Sequence, residues 1–207
     1  MMTTMNTLTP LRPVTAIIYS EGRKVDPVMS HIATGLRQRG YALAGFVQRD
    51  APRPGRRRCD MMLEDLASGT EIAISEDRGA MARGCHLDIG ELLRGTALAR
   101  QALDAGADLL IINKFGKTEG EGGGFRPLIA EALMRGTPVL IAVPWRNIDG
   151  WRLFAGDLGE EIVLDGRPDL GQAICAMLAA RLGHDGTGDE ERNSIAFPSQ
   201  AIGDHAG

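Results

Sequence analysis

Two short segments hold most of the residues that could handle a charged ligand. The first is Tyr19-Ser20-Glu21-Gly22-Arg23-Lys24-Val25-Asp26. It follows an apolar run, where a nucleotide-binding chain carries GxxxxGK[ST]. The backbone N–H groups of that motif cradle phosphate while its Lys reaches the terminal phosphates. Lys24 is present, but Arg23 precedes it in place of Gly, Val25 follows in place of Ser or Thr, and Ile18 stands where the first Gly belongs. Both glycines and the magnesium-binding hydroxyl are missing, and Glu21 adds a carboxylate that repels phosphate. A plain βα turn with solvated charges is one reading, and a modified ligand loop is the other.

The second segment runs from Asn113 to Gly124, and four of its last five residues are glycine. Such a loop can turn several N–H groups toward one point, and Lys114 and Lys117 add positive charge. Arg126 follows at the start of a helix, whose N-terminus also favours anions. Gly116-Lys117-Thr118 ends like a P-loop, but its first Gly would fall at Ile111, inside a strand. The candidate ligand-binding residues are therefore Asn113, Lys114, Gly116, Lys117, Glu119, Gly122 and Gly123, with Lys24 from the first segment. The competing reading is a surface loop whose lysines pair with Glu119 and Glu121.

Other clusters are weaker. Cys59, Cys85, His86 and Asp88 mix soft and hard ligands, but no zinc spacing is present, and a helix-capping Asp88 beside buried cysteines is the better account. Arg53, Arg56, Arg57 and Arg58 form a basic run without the aromatics that stack on nucleic-acid bases. Trp145 and Trp151 fall in one connection after a strand, where they serve as a lid over a planar ligand or as a loop anchor. No Ser–His–Asp pattern or paired-carboxylate arrangement can be read, so no catalytic residue and no metal site is assigned.

The elements that must position these segments alternate. Val14–Tyr19 reads as a buried strand. Asp26 can cap the next helix, with Pro27 at its first position and Gly40 at its stop. Tyr41–Val47 is a strand, and the segments 57–63 and 71–75 form a hairpin around Leu66-Ala67-Ser68-Gly69. Asp88 caps a helix through Ala105 with Leu92, Leu93, Ala99 and Leu103 inward. Ala107–Ile112 and Thr137–Val143 are continuous aliphatic strands separated by a helix from Phe125 to Arg135. Glu161–Leu164 and Pro168–Leu182 supply a last strand and helix. The fold class is α/β: a mostly parallel sheet with helices on both faces and an antiparallel hairpin insertion. Ligands of such sheets bind beyond the carboxyl ends of the strands, where residues 20–26, 76–88, 113–124 and 144–151 meet.

Residues 1–13 and 183–207 lack a burial pattern and are read as disordered ends of one domain, residues 14–182. From His184 onward there are five acids and one Arg, so the tail carries the whole net charge of −4. A neutral body argues against nucleic-acid and membrane-surface binding. Three cysteines without a CxxC pair, and no signal peptide, fit a reducing cytoplasm.

In order, Gly45-Phe46, Leu66-Ala67-Ser68-Gly69 and Asn113-Lys114-Phe115-Gly116-Lys117-Thr118-Glu119 resemble the small P-loop nucleoside-triphosphatase family first described from thermophiles, over roughly residues 14–182. That family has a strand ending in Gly-Phe, a Leu-Ala-x-Gly hairpin turn and a strand ending Asp-Glu-Ile-Gly-Lys-Met-Glu. The departures fall at its catalytic positions. Its magnesium-holding Asp and water-polarising Glu become Asn113 and Lys114, which puts a cation where the metal belongs. The chain looks closest to a bacterial branch of this fold with an Asn-Lys-Phe-Gly-Lys signature and a link to molybdenum uptake. The resemblance implies a degenerate P-loop fold and a non-hydrolytic binding or regulatory protein for a small anion or nucleotide-like ligand. The alternatives are an NTPase or phosphotransferase with non-standard phosphate loops, and an interaction module.

Overall fold

The continuous aliphatic runs become central strands because both of their faces are covered. In the computed structural model, which describes residues 12–51, 60–76 and 86–183, seven strands form one sheet in the order β4-β3-β2-β7-β8-β1-β9. They are β1 (Val14–Tyr19), β2 (Leu43–Ala51), β3 (Asp60–Asp65), β4 (Glu71–Ala73), β7 (Leu109–Ile112), β8 (Val139–Pro144) and β9 (Gly159–Val163). All neighbours pair in parallel except β2–β3 and β3–β4, and β3–β4 is the expected antiparallel hairpin. Two further strands, β5 (Ser75–Glu76) and β6 (His86–Leu87), form a small antiparallel pair.

The period-2 alternation of each strand divides the core in two. Ile17, Leu109, Ile111 and Leu140 face one way, under α1 (Asp26–Arg37) and α6 (Leu170–Leu182). Ala16, Ile18, Leu110, Ile112 and Ile141 face the other way, under α2 (Ile89–Asp104), α4 (Arg126–Met134) and α5 (Ile148–Ala155). Each fully buried Ile or Leu stabilises the fold by about 1.5–3 kcal/mol, so the sheet is a stiff platform for what leaves its ends. At Gly45 the backbone has φ +92°, and a Cβ there would collide with the Ile111 carbonyl. Only glycine lets β2 come this close to β7.

Several boundaries differ from the sequence expectation. Asp88 does cap α2, accepting from the Glu91 N–H at 3.0 Å. Leu93 is exposed, not inward, because the buried stripe of α2 runs through Gly95, Ala99 and Leu103. Gly95 lets that helix rest on Phe46 and Ile72. Asp26 makes no side-chain cap on α1: Val25 is the cap residue, and the Asp26 carboxylate is engaged elsewhere. The connection between Trp145 and Trp151 is helical, a 3-10 turn (Trp145–Asn147) followed by α5. Arg12 and Pro13 are tied to the body through the Asp157 carbonyl and the Val139 N–H. Cys59, Cys85, the Arg53–Arg58 run and the acidic tail lie outside the described residues. No described helix is long and apolar enough to cross a membrane.

Candidate functional site

The topology itself opens a crevice. From β1 the chain passes through α1 on one face of the sheet, whereas from the adjacent β8 it passes through α5 on the other. Neighbouring strands whose connections leave toward opposite faces part at their carboxyl ends, and ligands of open α/β sheets bind there. A cavity of about 330 Å³ lies at this place. The β1–α1 connection lines it with Tyr19 and the residues from Glu21 to Asp26, the loop after β7 adds Lys114, the end of β8 adds Pro144, and the 3-10 turn that follows adds Arg146. Three of the four segments expected to meet do so, while most of the segment 76–88 lies outside the described residues.

The charges around this cavity are unevenly satisfied. Arg146 donates to Glu21 at 2.7 Å, both of them largely exposed, and so spans the mouth of the crevice. Lys24 and the half-buried Lys114 have no hydrogen-bond or ion-pair partner among the described residues. Two ammonium groups in one concavity, unpaired among the described residues, attract an anion. Tyr19 ends β1 opposite Pro144. Burial, and then the charge of Asp26, push its phenol up to about 12 against the opposing pull of Arg146. Its hydroxyl therefore stays protonated and can act as a donor at neutral pH.

Beneath the cavity, the Asn113 side chain is 4% exposed and donates through Nδ2 to Asp26 Oδ1 at 2.8 Å. Its Oδ1 is buried without a partner. This contact ties the end of β7 to the first turn of α1. It also blocks the usual use of that helix end, because a carboxylate already sits there and Pro27 has no N–H to offer. Ile18, which stands for the first glycine when Lys24 is aligned to the P-loop Lys, is buried inside β1. No GxxxxGK[ST] occurs anywhere in the chain.

The glycine-rich loop is arranged differently. Lys117–Gly120 forms a short helix, α3, packed against α5. Glu119, 6% exposed, accepts from the Gly116 N–H at 2.7 Å and from the Phe125 N–H at 3.0 Å. The N–H groups of Gly122 and Gly123 go to the carbonyls of Glu119 and Thr118. A Cβ at Gly124, where φ is +59°, would overlap the Glu119 carboxylate. The glycines thus let the chain wrap around an internal carboxylate, and the N–H groups of Gly116, Gly122, Gly123 and Phe125 are used within the loop. Lys117 is 85% exposed and pairs with Glu121 at 3.5 Å. Of the candidates read from the sequence, Lys24 and Lys114 line the cavity and Asn113 supports it. Gly116, Glu119, Gly122 and Gly123 form the self-contained loop beside it, and Lys117 faces solvent.

The two tryptophans separate as well. Trp151 is 1% exposed, edge-on to Phe115 at 5.6 Å, and anchors the loop after β7 to α5. Trp145 is exposed and stands in sequence between Pro144 and Arg146, which line the cavity. Sequence reasoning left out Tyr19, Asp26 and Arg146 as site residues. One signal was present: the chain has twenty Arg but only three Lys, and all three Lys leave the same end of the sheet.

The family described as "Protein of unknown function (DUF2478)" matches residues 14–168, three quarters of the chain. The chain belongs to the DUF2478 family. Part of the Molybdenum import ATP-binding protein ModC 2 of Bradyrhizobium diazoefficiens is 33% identical over 152 residues. That alignment covers 73% of this chain and 17% of that protein, so this DUF2478 chain spans about a sixth of the relative's length. Among solved structures, THEP1 from the hyperthermophile Aquifex aeolicus superposes with a TM-score of 0.57. The superposition covers 80% of this chain and 98% of that one, at 16% identity. The DUF2478 domain therefore has a P-loop NTPase-like α/β fold with an antiparallel hairpin, as the motif order led us to expect.

Proposed function

We propose that this DUF2478 domain is a non-hydrolytic binding or regulatory protein. It holds a small anion or nucleotide-like ligand in the crevice between the carboxyl ends of β1, β7 and β8, and it serves molybdenum import. The observation that carries the reading is the pair of unpartnered ammonium groups, Lys24 and Lys114, in one cavity of a sheet without a phosphate-binding glycine motif. Hydrolysis needs a positioned base or a metal-holding acid, and the place of the metal-holding acid is filled by Asn113, whose amide donates to Asp26. The link to molybdenum rests on the likeness to ModC 2. The likeness covers only 17% of that protein, which leaves room for an ATP-binding part beside the matched residues, and we read the matched unit as an accessory one.

A thermal-shift series with phosphate, sulfate, molybdate, ATP and GTP, with and without magnesium, tests this. A ligand that binds only the folded state adds about 2.7 kcal/mol at one hundred times its Kd, which several degrees of Tm report. At least one anion should stabilise the protein, and phosphate release from Mg-ATP should not exceed that of a mock-purified control. Release above that control, lost in Lys24→Ala, would overturn the non-hydrolytic reading.

A further inference from the structure

The cavity is cationic on balance, yet it contains a carboxylate that none of its cations neutralises. Asp26 lines the cavity and uses Oδ1 to accept from Asn113. Its other oxygen has no hydrogen-bond partner among the described residues, although Lys24, Lys114, Arg23 and Arg146 all line the same space. Glu21, the other acid there, is taken up by Arg146. The effect of Asp26 on the Tyr19 phenol shows that its charge is felt within the cavity. An open carboxylate in an anion pocket is an acceptor facing acceptors, unless the anion brings its own proton.

We infer that the ligand of this pocket is a hydrogen-bearing oxyanion, with inorganic phosphate as its simplest form. Its charge would meet Lys24 and Lys114, and its O–H would donate to the free oxygen of Asp26. The inference rests on the anion-pocket reading above and names the ligand class of that same site.

Phosphate carries at least one O–H at neutral pH, so it can donate to Asp26 while it accepts from the lysines and the Tyr19 hydroxyl. Sulfate, molybdate and tungstate are fully ionised there and present only acceptors. Placing one of them against Asp26 leaves two desolvated acceptors opposed, and a site built for a hydrogen bond rejects a ligand that cannot make it. Selectivity then comes from the repulsive element as much as from the attractive ones. In the setting of molybdenum import, the domain would read phosphate chemistry and not the transported metal oxyanion.

The test is isothermal titration of the full chain with phosphate, arsenate, sulfate and molybdate at one pH and ionic strength. Phosphate and arsenate, both hydrogen-bearing, should bind about tenfold or more tightly than sulfate and molybdate, the factor set by one charge-assisted hydrogen bond. Asp26→Asn keeps the shape and presents an amide, so it should close that gap by strengthening sulfate and molybdate. The four-anion series on the unaltered protein decides the matter even if Asp26→Asn fails to fold. Sulfate or molybdate binding as tightly as phosphate would overturn the inference while leaving an anion pocket in place. No binding of any of the four would remove the pocket reading and this inference with it.

Discussion

The loops that follow β1 and β7 leave the same end of the sheet, and they spend their polar groups in opposite ways. After β7, the chain from Gly116 to Phe125 closes on the buried Glu119 carboxylate: the Gly116 and Phe125 N–H groups bond to it, and those of Gly120, Glu121, Gly122 and Gly123 bond to carbonyls of the same loop. After β1, the chain makes one backbone turn, Arg23 N–H to the Ser20 carbonyl at 3.2 Å, and leaves Lys24 without a partner among the described residues. The first loop is rich in glycine and turns much of its hydrogen bonding inward. The second has one glycine and its charges are open to the cavity. A glycine-rich sequence states that the backbone can turn tightly, but it does not state which way its N–H groups point. Here the turning serves an internal carboxylate.

If that contrast holds, the largest effect belongs to the closed loop and appears in stability. Glu119→Ala removes two hydrogen bonds to a buried carboxylate and leaves two N–H groups without their acceptor. We expect a loss of about 2–4 kcal/mol in urea unfolding. Gly124→Ala should cost a similar amount, since the added Cβ meets Glu119 and the left-handed φ strains any side chain. The two should be strongly non-additive, because the clash disappears once the carboxylate is gone. Glu119→Gln should rescue only part, as its amide opposes one N–H with another donor. Stability unchanged in Glu119→Ala would show that the loop is not closed in this way.

A middle-sized effect belongs to the open loop and appears in binding. Lys24→Ala and Lys114→Ala should each weaken the anion found by the screen about tenfold, with the unfolding free energy nearly unchanged. Neither ammonium makes a hydrogen bond or ion pair among the described residues, so little of the folding energy depends on them. Titration calorimetry and urea melts on the same preparations separate the two quantities. Wild-type affinity in both variants would move the ligand away from the crevice.

Much of the scaffold was legible in the sequence, because the signals for it are local. The run Val14–Tyr19 is β1 residue for residue, and Asp88 caps α2 as its position before an apolar stripe implies. The hairpin at Leu66–Gly69 turns on Asp65, which holds the Ser68 N–H at 2.8 Å. Helix α5 was not legible. Its buried positions Ile148, Trp151 and Ala155 lie on one face, but the element has only eight residues with Gly150 among them, too short for a period to show. The site was legible as a set of loops and not as an arrangement. Asn113 meets Asp26 across 87 residues and Arg146 meets Glu21 across 125. Pairings over such distances are made by the sheet order, which no local pattern carries. The same is true of Glu119, whose neighbouring glycines suggest an anion from outside when the anion is already in the chain.

Lys117→Ala is the smallest effect and the sharpest test, because by sequence alone Lys117 is the stronger ligand candidate of the two. Lys114, three residues earlier, stands so close to the strand end that it reads as a structural partner of a neighbouring carboxylate. The structure turns Lys114 toward the crevice and Lys117 to solvent, where its ammonium lies 3.5 Å from Glu121, itself largely exposed. An exposed pair one helical turn apart is worth roughly 0.3–0.5 kcal/mol and is weakened further by salt. Replacing Lys117 should therefore leave stability within about 0.5 kcal/mol of wild type. Anion affinity should stay within about twofold, since a solvated charge at that distance from the ligand is largely screened. The comparison is read at two salt concentrations, where a long-range contribution from Lys117 would shrink and a direct contact would persist. A tenfold loss in Lys117→Ala that survives high salt, together with wild-type binding in Lys114→Ala, would reverse the assignment. The glycine-rich loop would then have to open around the ligand, and Glu119 would have to release the Gly116 and Phe125 N–H groups to let it in.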